Sequence, residues 1–292
     1  VIDPQFYHRN KVHISRTATV LTASSTDVGY AIDNSREDGL GAGWKPINGT
    51  SDQWLQADLG DTTQLGSAAG AAYFAVAYDA RGCDQTKFTL QYDSADNPAF
   101  SSPVDVNNLT LQTASTSLVN CDLLSFSVPT PAKRYYRIMQ KNSDRGGGTK
   151  VATILYWGLF PRSTCIFFGI GQDFTSDTIS QYKISDIEQS GVARTAGNVP
   201  LLNQYAKRAT SVQLTFDHAT QAFWDRWRSD WDTNSNAETP QQAVFCTLQG
   251  LYNIARPGFF LCRMASLEYQ GVIENKDLYN QLTFTFESEP YV

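Results

Sequence analysis

The sequence has few residues that make metal sites: three histidines (His8, His13 and His218), and five cysteines with no CxxC pair. Zinc centres built on paired thiolates are excluded. Cys83, Cys121, Cys165, Cys246 and Cys262 are scattered and odd in number, which reads as reduced, buried thiols. A Cys83–Cys121 bridge within the first half is left open. No apolar run reaches the roughly 18 residues that a membrane helix needs. The net charge is -6 with a pI of about 5.1, and no Lys/Arg block supplies the basic face of a duplex binder. KRYYR (133–137), the densest basic run, reads as a half-buried strand, with a base-stacking platform as the alternative. Neither a nucleic acid nor a membrane is therefore expected as a partner. The opening VIDPQFYHRN carries no charged-then-apolar leader, as in a processed chain or one made in the cytosol.

Catalytic signatures are missing too. There is no GxSxG, no HExxH and no Gly-Lys-Ser/Thr phosphate loop. His8 and His13 fall in an N-terminal arm (1–14), and His218 suits a capping role beside a helix. Glu268, Glu274, Asp277 and Glu287 are carboxylates without any spacing that pairs them for glycoside hydrolysis. A non-enzymatic protein is expected, with no catalytic residue and no required cofactor.

What the chain does have is aromatic and β-forming residues: 14 Tyr, 16 Phe and 6 Trp, which together with Thr, Ser and Val favour strands. TKFTLQY (86–92), SVQLTF (211–216) and QLTFTFE (281–287) alternate apolar and polar residues with the period of a sheet that has one dry face. One segment has helical spacing: Phe223, Trp227 and Trp231 recur every fourth residue in TQAFWDRWRSDW, with Thr220 as N-cap and Pro240 beyond the end. Trp224 sits beside that stripe. A boundary is expected near Pro161, giving an arm (1–14), a first domain (15–162) and a second (163–292). The expected fold class is mainly β: a sandwich followed by a β-barrel or second sandwich with one short helix.

Five pieces of the first half, in order, resemble the discoidin or coagulation-factor C-type domains of the galactose-binding-like group. They are ATVLTASST (18–26), AIDNSREDGLGAGW (31–44), DQWLQADLG (52–60), AKRYYRIM (132–139) and ILYWGLF (154–160). The resemblance implies an eight-stranded jelly-roll sandwich over residues 15–160. Read physically, DNSREDGLGAGWKPINGTSDQWLQADLG is first a scaffold segment. Trp44 and Trp54 are large enough to cap a small sandwich, and Gly39, Gly41 and Gly43 permit tight turns before Trp44. The ligand reading stands beside it: the resemblance implies loops that bind glycans, with Arg36 and Trp44 as candidate contacts. It also implies a possible calcium near Asp33, with Asn34 and Asp38 as further oxygens.

Residues 165–292 more faintly resemble the β-rich barrel modules of tailed-phage tail proteins, which form rings. That implies a virion structural protein: a minor tail or tail-tip component, made in the host cytoplasm. Its partners would be other virion proteins in a homo-oligomeric ring, with Trp224 and Trp231 at the assembly interface and a host surface glycan met by the sandwich. The alternative is a carbohydrate-binding, lectin-like protein or a cell-surface adhesion module. In the adhesion module the sequons at Asn48 and Asn108 would be used and Cys83–Cys121 oxidised.

Overall fold

The structure is a computed structural model that describes residues 5–7, 10–13, 18–36, 43–67, 69–111, 120–162, 166–167, 169–170, 178–179, 181–187, 190–194, 200–204, 209–220, 244–247, 259–272 and 275–288. Two compact units are formed. One comprises Phe6–Ile166 with Ser235–Glu238, and the other Val1–Gln5, Phe167–Asn234 and Thr239–Val292.

After a short β1 (Gln5–Tyr7), the first unit is built from β2 (Val20–Ala23), β3 (Gln53–Asp58), β4 (Ala71–Asp79), β5 (Lys87–Asp93), β6 (Pro103–Thr110), β7 (Asn120–Ser127), β8 (Tyr135–Gln140) and β9 (Thr153–Pro161). A five-stranded sheet, β2-β3-β8-β5-β6, faces a three-stranded sheet, β7-β4-β9, and every pairing is antiparallel. These eight strands form a sandwich of two antiparallel sheets, the architecture that the resemblance implied. Alternation builds its core: Leu55, Ala57, Phe88, Leu90, Tyr136 and Ile138 from the larger sheet meet Phe74, Val76, Trp157 and Leu159 from the smaller. Each of the large side chains contributes about 1.5–3 kcal/mol on burial.

β4 and β9 do not alternate, because both of their faces are covered. The covering comes from the N-terminal segment. Tyr7 packs edge-on against Tyr73 with ring centroids 4.9 Å apart and against Phe160 at 6.2 Å. Asn10 is buried against β9, its amide donating to the Trp157 carbonyl (2.8 Å) and the Tyr156 hydroxyl (3.1 Å) while its oxygen accepts from Val12 and Leu159. Gly158 leaves room for this contact, since a Cβ there would lie 2.5 Å from the Phe160 ring and 2.9 Å from Asn10. The expected arm is thus corrected over residues 10–13: Asn10, Val12 and His13 are buried. The physical reason is that the outer face of the smaller sheet is apolar and needs a cover. His8 lies outside the described residues.

In the second unit the short strands β10 (Ile166–Phe167), β11 (Gly169–Ile170) and β12 (Thr178–Ile179) precede β13 (Gln181–Ile187). A hairpin-like pair, β14 (Ser190–Arg194) and β15 (Pro200–Gln204), follows, then β16 (Ala209–Thr220), β17 (Val244–Thr247), β18 (Phe259–Val272) and β19 (Asn275–Ser288). Its principal strands are antiparallel in the order β17-β18-β19-β16-β13. The two alternating patterns seen in the sequence lie directly opposite each other. Val212 pairs with Phe286, Leu214 with Phe284 and Phe216 with Leu282, and all six are buried. The Phe216 and Phe284 rings meet edge to face at 5.6 Å, and Thr215 and Thr283 share a hydrogen bond on the other side. β16 extends through His218 to Thr220, where the described residues stop. The expected aromatic helix, with Trp224 and Trp231, lies outside the described residues.

Candidate functional site

Gly39 and Gly41 lie outside the described residues, but on either side of them Asp33, Arg36 and Trp44, ligand candidates in the sequence, hold the scaffold. After Ala31 the chain makes one short 3-10 turn, Ile32–Ser35, tied by the Ser35 hydroxyl to the Ile32 carbonyl. Arg36 closes it: Nε meets Asp33 Oδ1 at 2.8 Å and Nη1 donates to the Thr19 carbonyl at 2.9 Å. Arg36 and Asp33 therefore satisfy each other and β2's leading turn. Asn34 is half-buried on the same turn, and Asp38 lies outside the described residues. Among the described residues, no group of three or more His, Cys, Asp or Glu side chains is placed to hold a metal.

Trp44 is wholly buried, which overturns its reading as a sugar-stacking surface. Its backbone makes both hydrogen bonds of a bridge to Ile154 (2.7 and 2.9 Å), and its indole Nε1 donates to the Ser25 carbonyl at 3.1 Å. No face of the indole is left for a ligand. Trp54 does not cap the sandwich either. It stands on β3 between Gln53 and Leu55, half-buried, with Leu55 and Ala57 taking the core positions. Cys83 and Cys121 do not bridge, and burial pushes the Cys83 thiol above its ordinary pKa, which leaves it a poor nucleophile.

A polar row crosses the outer face of the larger sheet, where Thr22, Gln56, Arg137, Gln91 and Asp105 are successive cross-strand partners. Arg137 donates to Gln91 (2.7 Å), Gln91 to Asp105 (2.5 Å), and Lys141 to the other Asp105 oxygen (2.6 Å). The turn from Asp93 to Ser102 folds over one end of this row. Asp93 holds it together by accepting from the amides of Ala95, Asn97 and Ser102, and Phe100 lies beneath the Arg137 guanidinium at 4.1 Å. Gln56 donates to the Pro98 carbonyl of the same turn. Gln56 and Gln91, polar residues at wet positions by alternation, are buried for this reason.

Beyond Asp105 the sheet ends. β6 is the last strand of the larger sheet and β7 the last of the smaller, and a groove of 490 Å³ opens between these two edges. Tyr92 and Phe126 line it with the aliphatic Val104, Val106, Ala71 and Pro129, and its polar groups come from Asp105, Asn107, Ser125 and Ser127. Among the lining residues Asp105 is the one with a charge. Burial on its own would raise the Asp105 carboxyl, but the hydrogen bonds from Lys141 and Gln91 outweigh it and hold the group below the ordinary carboxylate value. Behind the two rings lies Tyr136, fully buried, with its ring centroid 6.5 Å from Tyr92 and 6.1 Å from Phe126. Among the described residues its hydroxyl has no hydrogen-bond partner. A buried hydroxyl in that condition costs roughly 1–3 kcal/mol.

None of these groove residues stands out in the sequence. The alternation of TKFTLQY places Tyr92 on the dry face, yet that signal describes any core strand. Which strands become edges, and so what lies beside Tyr92, is a matter of sheet order.

No family model matches the chain, and no curated protein matches it. Solved structures do align. A chitosan-binding module of a chitosanase/glucanase from Paenibacillus sp. IK-5 is 16% identical, covering 53% of this chain and 99% of that one, with a TM-score of 0.38. A family 32 carbohydrate-binding module of NanJ from C. perfringens, in complex with galactose, is 14% identical over 53% of this chain and 98% of that one, with a TM-score of 0.36. A fucolectin from striped bass (Morone saxatilis) serum is 11% identical, covering 97% of this chain and 98% of that one, with a TM-score of 0.34.

Proposed function

We propose that the sandwich unit is a non-catalytic carbohydrate-binding module whose site is the groove between β6 and β7. The observation that carries this reading is the lining itself. A groove of 490 Å³ is of the size that holds a sugar or two, and it sets two aromatic rings against a carboxylate, an amide and two hydroxyls. Aromatic surface covers the C–H faces of a pyranose, and the short polar groups bond its hydroxyls. With Asp105 as the sole charged lining residue, the class that fits is a neutral glycan; a sialylated or uronic one would meet a carboxylate. No cofactor is required in this reading.

The test is a titration of neutral and acidic oligosaccharides, run with calcium and with chelator. Tyr92→Ala is expected to weaken neutral-glycan binding by about tenfold, roughly 1.4 kcal/mol, without loss of fold. Tyr92→Ala binding as tightly as the parent chain would remove the groove from consideration, and strict dependence on calcium would bring back a metal loop.

A finer reading makes the module part of a tailed-phage virion, as a minor tail or tail-tip component that displays the sandwich toward a host glycan. It is supported by the likeness of residues 165–292 to tail barrel modules and by the long antiparallel β18–β19 pair, 14 residues in each strand. Light scattering of the purified chain is expected to give a discrete ring-sized homo-oligomer. A monomer at high concentration would count against the ring.

A further inference from the structure

We propose that Gln91 is the positioning residue of the groove: clamped by Arg137, it holds the Asp105 carboxylate so that the oxygen positions left free accept hydroxyls of a bound neutral glycan. The inference rests on the glycan reading above and names how that site keeps its acceptor in place. Three observations support it.

The first is access. Asp105 lines the groove, and its side chain is 47% exposed. A carboxylate has about four acceptor positions. Gln91 occupies one on Oδ1 and Lys141 one on Oδ2, so each oxygen keeps a position for a ligand. The second is the clamp. Gln91 stands between Arg137 and Asp105 in cross-strand register and is only 5% exposed. Its oxygen accepts from Arg137 Nε at 2.7 Å, and its amide nitrogen donates to Asp105 Oδ1 at 2.5 Å. Arginine only donates and a carboxylate only accepts, so the amide has a single orientation between them. Arg137 is fixed in turn over Phe100, 4.1 Å from the ring centroid.

The third is the residue type. A glutamate at 91 would bond Arg137 more strongly, charge to charge, but it could not donate to Asp105. An amide accepts on one side and donates on the other. Fold stability does not account for this arrangement, because an ion pair as exposed as Asp105–Lys141 contributes little. Holding both oxygens of an edge-strand carboxylate matters when a ligand has to meet them.

The experiment is a double-mutant cycle in the full chain: Gln91→Glu, Asp105→Asn and the two together, titrated with the neutral oligosaccharide that the parent chain binds most tightly. Gln91→Glu keeps the bond to Arg137 and removes the donor to Asp105, so its melting temperature is expected to stay near the parent's. Each single variant is expected to bind about fivefold more weakly, and the double variant no more weakly than Asp105→Asn alone. Losses that multiply overturn the inference, since Gln91 would then act other than through Asp105. Parent-like affinity in Gln91→Glu overturns it as well, and both results leave the groove reading intact.

Lys141→Met gives a second readout, which also serves if Gln91→Glu does not fold. Burial raises the Asp105 carboxyl, but the bonds from Lys141 and Gln91 and the charges of Lys141 and Arg137 outweigh it, so the group stays ionised below the ordinary carboxylate range. Without Lys141 it titrates higher, and binding is expected to fall away at a higher pH on acidification than in the parent. An unmoved pH profile overturns the inference. If the parent chain binds no glycan at all, it is the underlying glycan reading that fails, so the two failures are told apart by the parent titration.

Discussion

Arg145→Ala is expected to destabilise the sandwich by about 3–5 kcal/mol, the largest effect of any polar substitution in the unit. Arg145 ends the short 3-10 helix Asn142–Arg145 and is only 3% exposed. Its guanidinium gathers four backbone carbonyls from two segments. Nη1 donates to Gly49, Nη2 to Ser51 (2.7 Å) and to Gln140 (3.1 Å), and Nε approaches Lys141 at 3.5 Å. One side chain thereby ties the loop before β3 to the end of β8. Alanine would take the donors from these carbonyls, the buried Gln140 carbonyl among them, and open a void where the fork lay. Lysine is not a substitute: its single ammonium cannot reach carbonyls spread around a planar fork. Urea unfolding of the parent, Arg145→Ala and Arg145→Lys checks this, with the lysine variant expected close to alanine. A lysine variant within about 0.5 kcal/mol of the parent would show that charge, not the fork, is what the loops need.

Gly43→Ala is expected to cost about 3 kcal/mol or more and to loosen Trp44. Gly43 has φ +65°, where any side chain is strained, and a Cβ would stand 2.5 Å from the Ile154 carbonyl oxygen and 2.9 Å from the Leu155 Cα. Both obstacles are backbone atoms of β9, a strand held on both faces, so neither can yield cheaply. The same Ile154 carbonyl accepts the Trp44 amide hydrogen. The substitution therefore strikes the bridge that seats the indole in the core, and a red shift of tryptophan emission should accompany the lower midpoint. Gly29 is the control: φ there is +85° but nothing lies within 4 Å of the added Cβ. Gly29→Ala should cost only the conformational strain, about 1–2 kcal/mol, and leave the emission unchanged. Equal losses at the two glycines would mean that strain alone, not the approach of β9, is what Gly43 avoids.

Much of this protein's architecture follows from the sequence alone. The period-two patterns of TKFTLQY, SVQLTF and QLTFTFE specified strands, and in the second unit they even specified each other, since Val212, Leu214 and Phe216 find Phe286, Phe284 and Leu282 opposite. The pieces from ATVLTASST to ILYWGLF implied a sandwich of eight strands, and eight strands form it. Periodicity can do this because it depends on neighbours in the chain: alternate residues of a strand face opposite ways whatever lies beyond. The scaffold reading of the tryptophan loop was legible too, from the size of the indole and the glycines before it.

The site was not legible. Arg36 and Trp44 look like ligand contacts when only composition is visible, yet one is spent on Asp33 and Thr19 and the other on Ser25 and Ile154, residues up to 110 positions away in the chain. Asn10 looked like part of an arm until β9 offered it a carbonyl, a hydroxyl and an amide. Tyr92 and Phe126 come from separate strands and line one groove only because β6 and β7 finish their sheets side by side. Burial, edge position and hydrogen-bond partnership are properties of sheet order and of contacts between distant segments. They depend on what each strand meets in space, and a local pattern carries no record of that.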